Sequence, residues 1–142
     1  MWKSCVLFCI GAFGYGQIEL LYRGRTHWSM LLAGGLCLVL LGLLDEALPR
    51  RLPLLGRCGV GALVITSIEL AFGLLCNVVL GLDVWDYSQE WGNLWGQICP
   101  RYTLYWLLLC LPGFMLVRSL ERLRLWCQVP SGPPLQLPDA TQ

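Results

Sequence analysis

The sequence predicts an all-α fold: a polytopic membrane protein built as a four-helix transmembrane bundle. Three observations carry that prediction. First, 56% of the 142 residues are hydrophobic and only 13% are charged, against roughly 45–50% and about 25% in soluble domains. Second, four segments supply the run of about 20 mostly apolar residues that a bilayer crossing needs. Third, the ten basic residues are unevenly shared between the connections, as topology signals are. The net charge of +1 offers no basic face to nucleic acid, so the lipid bilayer is the partner that composition implies.

The first span runs from Ser4 to Tyr22. Its short basic start at Lys3 has the look of a signal peptide. The apolar run continues past Glu19 with no small-residue cleavage site, so the helix is expected to be retained. The second span runs from Trp28 to Leu48 and weakens at Asp45 and Glu46. Pro49 and Pro53 then mark a turn. The third span runs from Gly59 to Leu82, and the fourth from Ile98 to Val117. Pro112 is expected to kink the fourth, which neighbouring helices tolerate. From Arg118 to Trp126 basic and apolar residues alternate at helical spacing, which predicts a short interfacial helix anchored by Trp126. The expected division is a four-span transmembrane domain over 1–127, with that helix at its end, and a Pro-rich disordered tail over 128–142.

Four spans put both termini on one side. Lys3, Arg50, Arg51, Arg57, Arg118, Arg122 and Arg124 share that side, seven against the three of Arg23, Arg25 and Arg101. The positive-inside rule makes the first side cytoplasmic. Of the eight cysteines, Cys5, Cys9, Cys37, Cys76 and Cys110 lie inside apolar runs, where free cysteine behaves as a small hydrophobe. Cys58 and Cys99 fall at opposite boundaries and cannot pair. No CxxC occurs, so no disulfide framework, metal site or cofactor is expected.

The polar residues inside the spans are the informative ones. A carboxylate near a bilayer midplane costs roughly 2.5–3.5 kcal/mol on insertion scales, and this chain has two in a recurring frame. GAFGYGQIEL from Gly11 and GALVITSIEL from Gly61 agree at Gly11/Gly61, Ala12/Ala62, Ile18/Ile68, Glu19/Glu69 and Leu20/Leu70. The matches indicate a parallel two-hairpin repeat, or else two apolar helices that coincide by chance. Tyr15, Glu19 and Arg23 share a helical face, with Glu19 placed to pair with Arg23. Thr66, Glu69, Gly73, Cys76 and Asn77 form a stripe expected to face the interior. For each carboxylate two readings stand: a solute or proton site, or a fastening between helices.

Both outer connections carry further candidates. RGRTHW (Arg23 to Trp28) is very short and brings Arg25 and the lone His27 beside the first span. DVWDYSQEWGNLWG (Asp83 to Gly96) holds three tryptophans, a tyrosine, three acids and an asparagine. Loops of this length are often functional. Its rings are either interface anchors or parts of a lid over the helices. His27 has no second metal ligand of its own type nearby, and Asp86 is its candidate partner.

The blocks IEL and RGRTHWSM (Ile18 to Met30), ITSIEL with Gly73 and Asn77, VWDYS (Val84 to Ser88) and GNLWGQICP (Gly92 to Pro100) resemble the family catalogued as putative ABC-transporter type IV, small bacterial membrane proteins. The resemblance covers about Gly11 to Trp106. It implies a permease of the bacterial cell membrane, and the family pattern picks out Glu19, Arg23, Arg25, His27, Trp28, Glu69, Asn77, Trp85, Asp86, Tyr87, Asn93 and Gln97. The chain has no GxxxxGK[ST], so it is not itself the ATPase of a transporter. The leading expectation is a small permease or transporter component acting as a homodimer or with a partner ATPase. In it Glu19 and Glu69 supply a solute or proton site, Asn77 lies on the same stripe, Arg23 or Arg25 holds an anionic group, and the outer loop forms a lid. A membrane enzyme acting on a lipid or lipid-linked substrate through Arg23, Arg25, His27 and Asp86 is one alternative. A non-catalytic membrane subunit or sensor is the other.

Overall fold

Four helices follow the four apolar runs. In the computed structural model α1 spans Trp2–Arg23, α2 Trp28–Ala47, α3 Leu54–Gly73 and α4 Pro100–Gln128. The structure describes the backbone of residues 2–128 and the side chains of residues 2–123. All four helices are long and apolar enough to cross a membrane, and no named strand occurs among the described residues.

The boundaries have local causes. His27 caps α2, its Nδ1 accepting from the Ser29 N–H, and α2 stops ahead of Pro49, which has no N–H to continue it. α3 starts just after Pro53. It begins earlier than the apolar run from Gly59 suggested, because Arg57 in its first turn is buried and fully paired rather than solvated. Beyond Gly73 the helix widens into a π segment, Leu74–Val79, and Gly81 ends it with φ +62°, a left-handed conformation that suits glycine. The Arg118 to Trp126 stretch is helical as expected. It is no separate element, however: α4 runs through it unbroken, with Pro112 in its interior. The Trp126 side chain and the Pro-rich tail lie outside the described residues.

α2 is the central helix. It packs against α1, α3 and α4, while α1 hardly approaches the backbones of α3 and α4. The matched glycines sit at equivalent crossings: a Cβ on Gly11 would lie 2.5 Å from the Gly34 carbonyl oxygen of α2, and one on Gly61 would lie 2.8 Å from Cys110 Sγ of α4. Small residues at such points let membrane helices come close. Each hairpin, α1–α2 and α3–α4, thus has a glycine at a close crossing. One apolar cluster, including Leu7, Leu38, Leu41, Ile65 and Phe114, fills the half of the bundle nearer the termini. A second, Met30, Cys76, Val84 and Trp85, lies under the long loop. Leu21, Phe13, Leu63, Val79 and Leu108 point outward, as they should where the solvent is lipid tail.

An ionic network fastens the terminal end. Lys3 of α1 pairs with Glu46 of α2 and Glu121 of α4. Asp45 of α2 receives Arg57 of α3 and Arg118 of α4, each at 2.9 Å. The Arg57 guanidinium also donates to the carbonyls of Leu48, Pro49 and Leu52, so one side chain satisfies the orphan acceptors at the end of α2 and the turn after it. These contacts place the start of α1 and α3 beside the end of α2 and α4, the up-down order of an antiparallel bundle.

Candidate solute site

Glu69 is 6% exposed and sits where α3, α4 and the long loop meet. Tyr87 Oη donates to its Oε1 at 3.0 Å, and Trp106 Nε1 donates to its Oε2 at 2.8 Å. Both donors are neutral. Burial pushes the Tyr87 hydroxyl well above its ordinary range, with the nearby Glu69 charge acting in the same direction, so Tyr87 remains a donor. Tyr87 stacks on Tyr102, ring centroids 4.2 Å apart, and Trp106 lies against Tyr15 at 5.7 Å.

Glu19 is as deeply buried, 4% exposed, but is held differently. Arg23 Nη1 donates to Oε1 at 2.9 Å, Thr26 Oγ1 donates to Oε2 at 2.6 Å, and the other arm of Arg23 donates to the Val84 carbonyl at 2.7 Å. The ion pair expected from spacing is therefore present, and it ties α1 to the long loop. Tyr15 lies near both carboxylates; no hydrogen bond joins the two.

The loop is a folded cap. Asn77, set in the π segment, donates to the Trp85 carbonyl at 2.9 Å and to Gln97 Oε1 at 2.8 Å, and accepts from the Val84 N–H at 2.7 Å. Gln97 returns through its main-chain carbonyl, which accepts from Trp85 Nε1 at 3.0 Å. Trp85 and Gln97 press on Gly73, where a Cβ would stand 2.5 Å from Gln97 Oε1 and 3.1 Å from the Trp85 ring. Asn93 closes the far turn, donating to the Ser88 and Glu90 carbonyls and accepting from Gly96 N–H. Of the three loop tryptophans only Trp85 is buried; Trp91 and Trp95 are 86% and 67% exposed. The lid and anchor readings thus divide among residues: Trp85 packs into the bundle, and the other two are open to the surroundings.

Two adjoining cavities border this arrangement. The first, about 250 Å3, lies among all four helices and is walled by apolar and aromatic side chains, with Glu69 its one carboxylate among the described residues. The second, about 460 Å3, opens beneath the loop and is lined by Glu19, Arg23, Asp86, Glu90 and a ring of tyrosines. Tyr15, Ile18, Trp85, Trp106 and Leu109 belong to both walls.

The structure therefore brings together Glu19, Arg23, Glu69, Asn77, Trp85, Tyr87 and Gln97, with Asn93 shaping the loop. It does not bring in Arg25, which is exposed in the α1–α2 turn. Nor does it join His27 to Asp86. His27 Nδ1 is 2.8 Å from Ser29 Oγ, and the Asp86 carboxylate accepts from the Ser88 N–H and hydroxyl. The acid–base cluster that an enzyme reading needs is not assembled. Sequence reasoning missed Trp106, Thr26, Tyr102 and Tyr105. Trp106 carried a usable signal: a tryptophan well inside a span, away from the boundary belts where indoles usually sit. Among the described residues no group of His, Cys, Asp and Glu forms a metal cluster, and the described cysteines are free.

Fold and site define a multi-pass membrane protein with a transporter-like interior: polar groups buried on packed helices around a cavity. The chain belongs to the family described as "Putative ABC-transporter type IV", whose model matches residues 5–127. No curated protein and no solved structure matches it.

Proposed function

We propose that this protein is a small permease, or the membrane component of a transporter, of the bacterial cell membrane, and that Glu69 is the centre of its solute site. The observation that carries the reading is the setting of Glu69: a buried carboxylate on a cavity wall, held in place by Tyr87 and Trp106 with no basic residue against it among the described residues. A carboxylate serving only as a fastening would gain most from a cationic partner, as Glu19 has in Arg23. The family match to a putative ABC transporter supports the same reading. The loop acts as a cover, pinned by Asn77 and Gln97. The excess of basic residues at the terminal end orients that end to the cytoplasm. With four spans and no phosphate-binding loop of its own, the chain works with a second copy or a partner ATPase.

The test is flux in proteoliposomes. Glu69→Gln abolishes solute movement while membrane insertion and monodisperse elution stay as in the wild type. A fully active Glu69→Gln ends the carboxylate-site reading.

A further inference from the structure

Four carboxylates line the two cavities, and their partners separate them. Glu19 is paired with Arg23, and Glu90 with Arg101 at 3.1 Å. Among the described residues Asp86 takes only the Ser88 donors, and Glu69 only the Tyr87 hydroxyl and Trp106 indole. Among the described residues no lysine or arginine lines the inner cavity, and the groups that face Glu69 from α1, α2 and the loop, Tyr15, Cys37 and Tyr87, are none of them basic. The negative charge of an ionised Glu69 is thus left to be matched by whatever enters. An anion is disfavoured here: Arg23 is already committed to Glu19 and Val84, and Arg25 lines neither cavity.

The walls select further. Phe72, Trp85, Trp106 and Tyr15 surround the inner cavity, and aromatic faces attract organic cations, the more so when desolvated. A small hydrated metal ion would find few oxygen ligands beyond Glu69 itself, where such ions want about six. At about 250 Å3 the inner volume lies just below the roughly 300–1,000 Å3 of sites for drug-sized ligands. Gly14 of α1 borders it, with nothing within 4 Å of where a Cβ would stand. The tyrosine-lined outer cavity adjoins it beneath the loop, the two sharing Tyr15, Ile18, Trp85, Trp106 and Leu109.

We infer that the inner cavity binds a monovalent organic cation with an apolar body, its ammonium group set against Glu69 and its body against the apolar and aromatic walls. This rests on the reading of Glu69 as a solute site and adds the class of solute. The test uses the full-length protein in nanodiscs of zwitterionic lipid, titrated with benzyltrimethylammonium and with neopentylbenzene, its uncharged carbon isostere; protein-free discs give the background. The cation is expected to bind saturably and at least about tenfold more tightly than the isostere, and Glu69→Gln should reduce it to the level of the isostere. A second measurement needs no variant. In the wild type, benzyltrimethylammonium should slow the modification of Glu69 by dicyclohexylcarbodiimide, read by mass spectrometry, and neopentylbenzene should not. Equal affinity for the two probes, unchanged cation affinity in a folded Glu69→Gln, or absence of protection overturns the inference. Loss of flux in Glu69→Gln without any preference for the cation rejects the ligand class and leaves the solute site standing. Full flux in Glu69→Gln rejects both.

Discussion

Replacing Glu69 in two ways separates what its shape does from what its charge does. In Glu69→Gln the amide oxygen can accept from Trp106 Nε1, which is a donor only. The amide nitrogen can then donate to Tyr87 Oη, whose hydroxyl rotates to accept. Both present contacts, 3.0 and 2.8 Å, keep a counterpart, so the stability change should stay within about 1 kcal/mol. In Glu69→Leu both donors lose their acceptor. Each buried unsatisfied group costs roughly 1–3 kcal/mol, although hydrogen bonds measured within a bilayer protein average only about 0.6 kcal/mol. The expected loss is therefore between about 1 and 6 kcal/mol, the upper part applying where the site stays dry. Thermal unfolding in detergent, followed by size-exclusion elution, ranks the three proteins as wild type and Gln close together and Leu clearly below. Flux divides them differently, with Gln and Leu both inactive. A Leu variant as stable as the wild type would mean that Tyr87 and Trp106 do not hold this carboxylate, and the site as described would be wrong. A Gln variant as unstable as Leu would make the charge itself structural.

Other perturbations test the surroundings. Gly73→Ala brings a Cβ to 2.5 Å from Gln97 Oε1; the overpacking cost of roughly 1–3 kcal/mol outweighs the helix-propensity gain of about 1 kcal/mol, so the variant should melt lower. Gly14→Ala meets open space and keeps the propensity gain, so it should melt at or above the wild type. Asn77→Ala removes the three bonds that pin the loop; hydrogen exchange at Val84 and Trp85 should accelerate while that of α2 is unchanged. Arg57→Ala leaves Asp45 with Arg118 alone and strips the end of α2 of its donors, so a loss of roughly 3 kcal/mol is expected from a broken buried pair, read as loss of monodisperse protein.

The polar stripe of α3 was legible because a membrane helix cannot hide polar groups in lipid. Glu69, Gly73 and Cys76 are all buried, and Asn77 is fully engaged. The Glu19–Arg23 pair was legible because i, i+4 spacing is set within one helix. Trp85 could not be told from Trp91 and Trp95 by composition, since all three sit in one loop and only its docking decides which indole enters the bundle. Asp45 read as the weakening end of a span, and Arg57 as one basic residue of the cytoplasmic connection. They are in fact each other's partners, brought together by the turn at Pro49 and Pro53. The proposed partnership of His27 and Asp86 failed for the same reason in reverse: each finds a serine two residues away before the fold can offer a distant partner.

Sequence alone determined how many helices there are and which polar faces turn inward. These follow from hydrophobic run length and helical period, which are properties of one segment against one solvent. Only the tertiary structure decided that Glu19 is paired with an arginine while Glu69 meets only neutral donors among the described residues, although the two sit in matching sequence frames. Arg23 reaches Glu19 from its own helix, whereas the groups that meet Glu69 arrive from α4 and the loop, 37 and 18 residues away. What surrounds a buried charge depends on which side chains the packing delivers to it, and that no single segment encodes.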